Sequence, residues 1–262
     1  MSPDVFDIHN PHSQRAILIL CDHARNHIPE HYQGLGLSEA DLKSHIAYDL
    51  GAADLAMELA DRLRCSAILS SFSRLLIDPN RGLDDPTLVM KLSDGHIIPG
   101  NRMVDRHSDV AEFHNRIETF YRPYHQAIAQ AVDAFLARGI VPLLVSMHSF
   151  TPIWKGEPRP WQAAILWDSD TRLRDHLMSH FMNTPEICFG DNEPYSGRLK
   201  NDTMYRQATA KGLPHGLIEV RQDITTDPVQ RAQWADRLAN ILERAAADPL
   251  LQRQIFTPSS VD

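Results

Sequence analysis

Apolar residues along this chain gather into short continuous runs rather than strict alternation. "RAILILCD" (15–22), "CSAILSSF" (65–72), "IVPLLVSMHSF" (140–150), "QAAILWD" (162–168), "EICFG" (186–190) and "HGLIEVRQ" (215–222) each read as a strand. Continuous apolar runs predict a sheet covered on both faces. Between them the period changes. Val110, Phe113, Ile117, Phe120, Tyr124, Ile128, Ala131 and Phe135 keep the three/four spacing of one long amphipathic helix, with Gly139 as its stop. Leu50, Ala53, Met57 and Ala60 mark a helix over about residues 50–63, a shorter one spans about 171–182, and Trp234, Leu238, Ile241 and Ala245 mark a C-terminal one.

Strands alternating with helices predict a layered α/β architecture with a largely parallel sheet. Neither an internal repeat nor a linker divides the chain, so residues 1–262 read as one domain. Segments 82–107 and 151–161 lack periodicity and read as long surface loops, where α/β proteins often place function. Ligands in such sheets collect at the carboxyl ends of strands. That rule selects Asp22 and His23, Asp78 to Arg81, His148, and Glu219 to Arg221.

Composition narrows the partners. With 43% hydrophobic and 23% charged residues the chain is an ordinary globular one. The net charge of −8 argues against a nucleic-acid binder but leaves room for a locally basic site. No apolar stretch approaches the ~18–20 residues of a membrane span. "MSPDVFDIHN" lacks the basic and apolar regions of a signal peptide. Cys21, Cys65 and Cys188 are isolated and odd in number, which predicts reduced thiols and a cytoplasmic location.

The chemistry starts from "CDHARNHIP" and "MHSF". His23 and His148 each end a strand and can converge on one ion. The His23/His27 spacing imitates a metal-binding helix, but Pro29 and the missing Glu at position 24 argue against it. Two imidazoles call for a carboxylate to complete a catalytic zinc shell, with Asp22, Asp49 and Asp78 as candidates. Glu219, inside the apolar "HGLIEV", is costly to bury unless it is paired or faces a cleft. It reads either as a structural partner of an arginine or as a general base. In "SRLLIDPNR", Arg74 and Arg81 bracket a short strand. The segment reads either as a surface turn or as a clamp for a substrate carboxylate and an oxyanion.

In this order, "CDHARNHIP", "RLLIDPNR", "SMHSFTP", "NEPYSGR" and "HGLIEVRQD" resemble the N-formylglutamate amidohydrolase family over about residues 15–245. The resemblance implies a three-layer α/β/α fold like that of zinc carboxypeptidases and aspartoacylases, with a mostly parallel mixed sheet. It implies cleavage of N-formyl-L-glutamate to formate and glutamate, with zinc or another divalent ion as cofactor. His23 and His148 would be metal ligands and Glu219 the general base. Arg74 would polarise the scissile carbonyl, and Asn80 and Arg81 would hold a substrate carboxylate. Where the carboxypeptidase pattern has a glutamate ligand, this chain has Asn26. The resemblance then implies an insertion over residues 24–48, with Asp49, in preference to Asp22, opening the next helix as the third ligand. Tyr195 and Arg198 of "NEPYSGR" would close over the substrate. Arg221 would face the site or pair with an acid. His215 is expected to be structural, and His107, His114, His125, His176 and His180 solvated. Two other readings remain: a related zinc deacylase or peptidase acting on another N-acyl amino acid, and a binding protein with this fold but no catalysis.

Overall fold

A computed structural model describes residues 5–262. Seven strands form one sheet: β1 (Phe6–His9), β2 (Ile17–Cys21), β3 (Ser66–Ser70), β4 (Leu143–Phe150), β5 (Ala163–Leu166), β6 (Phe189–Asp191) and β7 (His215–Arg221). Their order across the sheet is β1-β3-β2-β4-β7-β5-β6. The four central strands run parallel, while β1 and β5 are each antiparallel to the neighbour on their inner side. The sheet is therefore mixed and mostly parallel.

Helices cover both faces. On one side lie α1 (Ala52–Leu63), α3 (Arg172–Met182) and α6 (Pro228–Ala247), packed on Ile17, Ile19, Val145, Met147 and Ile218. On the other, α2 (Val110–Leu136) packs on Leu18, Leu20, Leu144 and Leu217. Two short helices, α4 (Thr203–Gln207) and α5 (Gln222–Thr225), flank β7. Helix α6 starts at Pro228, with the Asp227 carboxylate accepting from the Val229 and Gln230 N–H groups. A side-chain cap and a proline in the first turn are strong start signals. The described helices include none long and apolar enough to cross a membrane.

Three local expectations need correction. Helix α2 is continuous but widens to a π-helical turn over Ile117–Tyr121, just before Pro123. A proline has no N–H to give and crowds the preceding turn. The stretch between Arg74 and Arg81 is not a strand. Its N–H groups are satisfied locally, Leu76 by the Ser73 carbonyl (3.0 Å) and Asp78 by the Leu88 carbonyl (2.8 Å), while Leu75, Leu76 and Ile77 are buried. The long segments 82–107 and 151–161 are mainly loop, each carrying a two-residue-per-strand hairpin (Leu92–Ser93 with His96–Ile97, Ile153–Trp154 with Glu157–Pro158).

Candidate metal and active site

The sheet's alternation sorts side chains at the carboxyl ends of its central strands. On β4, Leu144, Ser146 and His148 share the α2 face, whereas Val145 and Met147 join the opposite core. On β7, Glu219 follows Leu217 on the α2 face, and its backbone is registered against His148. Asp22 continues the Leu18, Leu20 face one residue beyond β2. One face therefore gathers Asp22, Ser146, His148 and Glu219 at the end where ligands bind.

Asp49 reaches them by a detour. Residues 24–48 leave the sheet through a 3₁₀ segment (Glu30–Gly36) and one helical turn (Glu39–Leu42). The excursion closes where the Asp49 N–H donates to the His23 carbonyl (2.9 Å). Asp49 does not open α1, as expected, but precedes it. Gly51, at φ 71°, turns the chain into the helix, and a Cβ there would collide with the Thr225 carbonyl.

His23, Asp49 and His148 offer ligand atoms that all lie within 4.8 Å of one another, and all three residues are buried. Asp49 Oδ2 faces both imidazoles through Nδ1, at 2.8 Å from His148 and 3.4 Å from His23. The far nitrogens are held from behind. His23 Nε2 donates to Asp78 Oδ1 (2.7 Å), and His148 Nε2 meets Asp22 Oδ2 (3.3 Å) and Ser146 Oγ (3.1 Å). Carboxylates behind imidazoles are the usual means of aiming the opposite nitrogen at a metal. Asp22 and Asp78 thus stand behind the histidines, leaving Asp49 as the carboxylate between them. Asp22 also accepts from Tyr124 Oη (3.0 Å), Thr203 Oγ1 (2.8 Å) and Ser146 Oγ (3.1 Å). His23 Nδ1 is buried and has no hydrogen-bond partner. An imidazole nitrogen orphaned beside a carboxylate and a second imidazole fits a divalent cation.

Charges support this arrangement. Burial would raise the Asp49 and Asp78 carboxyls, but His23 and His148 hold Asp49 low, while Arg74 and His23 hold Asp78 well below the usual range. Burial works against a charged His148, yet its bonds to Asp22 and Asp49 raise its pKa to about 10. Glu219 behaves oppositely. Burial and the charge of Asp49 lift it to about 7, against His148, His23 and Arg74. Glu219 Oε2 is buried without a partner, so this carboxylate is not the arginine-paired structural residue that its apolar strand allowed.

A cavity of about 410 Å³ opens over the cluster, lined by His23, Asp49, His148, Glu219, Arg74, Asn80, Arg81 and Tyr195 among others. Arg74 Nη2 donates to Asp78 Oδ2 (2.8 Å), and its Nη1 lies 3.7 Å from Asp49 Oδ1. The "DPNR" turn is fixed by α2, at the end of the π-helical turn and one turn beyond: Tyr121 Oη donates to the Arg81 carbonyl (2.6 Å) and His125 Nε2 to the Pro79 carbonyl (2.9 Å). His125 is therefore buried rather than solvated, and burial pushes its pKa down to about 3. His215 is buried against the Leu213 carbonyl (2.8 Å) in a structural role.

Arg198 is not brought to the cavity. It is exposed, and its charge acts on Asp168. Arg221 pairs with Asp223 (2.7 and 3.0 Å) and holds the carbonyls of Arg159 and Trp161. Sequence reasoning missed Asp202, Gln222, His45 and Trp154 as lining residues, and the orienting roles of Asp22 and Asp78. The Asp202-Thr203 pair, a cap before a short helix, was a readable signal for the first of these.

Comparison with known proteins places the chain in a family and a fold. The chain matches the gene product Atu2144 from Agrobacterium tumefaciens at 30% identity and TM-score 0.87, covering 93% of this chain and 95% of that one. An N-formylglutamate amidohydrolase from Ralstonia eutropha matches at 21% identity and TM-score 0.69, covering 93% of this chain and 97% of that one. No curated protein matches. The family model for N-formylglutamate amidohydrolase matches residues 15–226, which takes in every ligand candidate, Arg74 and Glu219. The chain belongs to the N-formylglutamate amidohydrolase family.

Proposed function

We propose that this protein hydrolyses the amide bond of N-formyl-L-glutamate to formate and L-glutamate, with residues 1–262 acting as one catalytic domain and a divalent ion held by His23, Asp49 and His148. The observation that carries the reading is a pair of buried polar atoms without a hydrogen-bond partner, His23 Nδ1 and Glu219 Oε2, in the wall of one cavity. Two imidazoles and a carboxylate suit zinc, and other divalent ions share that ligand set. When bound, the ion supplies a positive charge that acidifies water and polarises a carbonyl.

The chain's own groups do the rest. Glu219, with a pKa near 7, accepts the proton of the attacking water at Oε2 and returns it to the leaving nitrogen. Arg74, held by Asp78 and close to Asp49, places a fixed cation where negative charge develops on the carbonyl oxygen. Asn80 and Arg81 stand on the cavity wall as anchors for a substrate carboxylate. Asp22 and Asp78 keep both imidazoles oriented. The cavity leaves room for an acyl group larger than formyl, which favours a related deacylase as the second reading.

The test is formate release from N-formyl-L-glutamate by zinc-loaded protein, beside Glu219→Gln. Release that the substitution abolishes supports the reading. Zinc binding with turnover of N-acetyl-L-glutamate but not the formyl compound would move it to the second, and a protein that takes up no divalent metal would end both.

A further inference from the structure

Arg159 lies in the loop after β4 and is 7% exposed. A guanidinium stays charged, and burying one without a counter-ion is costly. Among the described residues, the acceptors of its side chain are all neutral: Tyr195 Oη (2.9 Å) and the Thr151 carbonyl and Oγ1 (3.4 Å each). None of the ion pairs among the described residues includes it, whereas Arg74, Arg172, Arg174 and Arg221 all have carboxylate partners. Three aromatic rings surround it, with centroids at 4.9 Å (Tyr195), 5.2 Å (Trp154) and 5.6 Å (Phe150). Those rings ease the loss of water but do not neutralise the charge.

The missing anion has a place to arrive. Tyr195, Trp154, Phe150 and Thr151 all line the cavity above Glu219. Tyr195 Oη accepts from Arg159, so its own proton is free to be donated into the cavity. Tyr195 lines the same cavity as Asp49, His148 and Glu219, so one small molecule can meet the phenol and the metal cluster together. Asn80 and Arg81 belong to another wall, on the turn fixed by α2. The cavity thus has two separate places for carboxylates.

We propose that Arg159, acting through Tyr195, selects substrates that carry a second carboxylate. Tyr195 donates to that carboxylate, and Arg159 is the positioning residue whose charge is balanced when it binds. This rests on the hydrolase reading above and deepens it: the substrate class is an N-acyl dicarboxylic amino acid, with one carboxylate at Arg81 and the other at Tyr195.

The experiment compares N-formyl-L-glutamate with N-formyl-L-glutamine, which has the same shape but no side-chain charge, on zinc-loaded wild type, Arg159→Met, Arg159→Lys and Tyr195→Phe. Wild type should prefer the glutamate compound by about tenfold or more in kcat/KM, as expected where a buried charge is left unpaired by the wrong substrate. Arg159→Met should raise KM for the glutamate compound by about tenfold with kcat little changed, and leave the glutamine compound unaffected. Arg159→Lys should recover part of the loss. Tyr195→Phe, on a half-exposed loop where folding is not at stake, should reproduce the KM effect. Equal turnover of both compounds by wild type would overturn the proposal and leave the hydrolase reading standing. Equal losses on both compounds in Arg159→Met, or a fall in kcat alone in Tyr195→Phe, would also overturn it. No turnover of either compound by wild type would overturn the hydrolase reading, and this proposal with it.

Discussion

The two faces of the same central strands do different work. On the face covered by α1, α3 and α6, Ile19, Cys21, Val145, Met147, Ile218 and Val220 are all buried and apolar. On the α2 face the same strands begin apolar, with Leu18, Leu20, Leu144 and Leu217, and end polar, with Asp22, Ser146, His148 and Glu219. A pleat that turns alternate residues to opposite sides lets one strand carry stability and chemistry without conflict. Polar groups can gather on the α2 face because they satisfy one another: Asp22 alone accepts from Tyr124, Thr203, Ser146 and His148. Among the buried polar atoms without a hydrogen-bond partner, His23 Nδ1 and Glu219 Oε2 line the cavity and point to where a ligand belongs.

Neighbouring positions on β7 separate the two faces most sharply. Glu219→Gln should lower kcat by about 10²–10⁴-fold, the range for a lost general base, while leaving metal content and thermal stability near wild type. Ile218→Ala, one residue away, should cost about 2–5 kcal/mol of stability through the cavity it leaves. Activity per folded molecule should stay close to wild type, read by kinetics beside a denaturation curve. A large kcat loss in Ile218→Ala would show that the faces are coupled rather than separate.

A smaller effect is expected behind the histidines. Asp78→Asn removes the carboxylate that orients His23 and holds Arg74, and should weaken metal binding by about 10–100-fold, measured by competition with a chelator. Unchanged affinity would mean that the imidazole is aimed by something else.

The smallest effect concerns Asp202, on the cavity wall. Burial lifts its carboxyl to about 7, above the ~3.9 of an unfolded aspartate. A raised carboxyl favours the protonated folded state, so its contribution is complete below about pH 4 and is lost as pH rises through 7. Asp202→Asn, which can still cap α4, should therefore gain about 1–2 kcal/mol relative to wild type between pH 6 and pH 8. Melting curves at the two pH values read this, and an identical pH response in both proteins would contradict it.

How much of this was legible depended on whether a signal was local. β2, β4 and β7 are covered on both faces, and their apolar runs announce them. β1 does not announce itself: Phe6–His9 is a half-exposed edge strand that pairs with β3 alone and has no apolar run. His23, His148 and Glu219 stood out because strand ends collect ligands and a carboxylate in an apolar run needs a reason. Asp49 was one of three candidate carboxylates and could be preferred only through resemblance, because 25 residues separate it from the histidine it meets. Arg159 left no trace, since "EPRPW" reads as a loop and nothing local says that Phe150, Trp154 of the preceding hairpin and Tyr195 of a distant segment enclose it. For Arg198 the motif gave a loop near the site but not the direction of the side chain, which is exposed.

Asp49, and not Asp22, is expected to complete the metal shell with His23 and His148. Zinc content after loading and gel filtration, compared among wild type, Asp49→Asn and Asp22→Asn, tests it most directly. The expected result is stoichiometric zinc in wild type and in Asp22→Asn, and none retained by Asp49→Asn. Zinc retained by Asp49→Asn and lost from Asp22→Asn would contradict it.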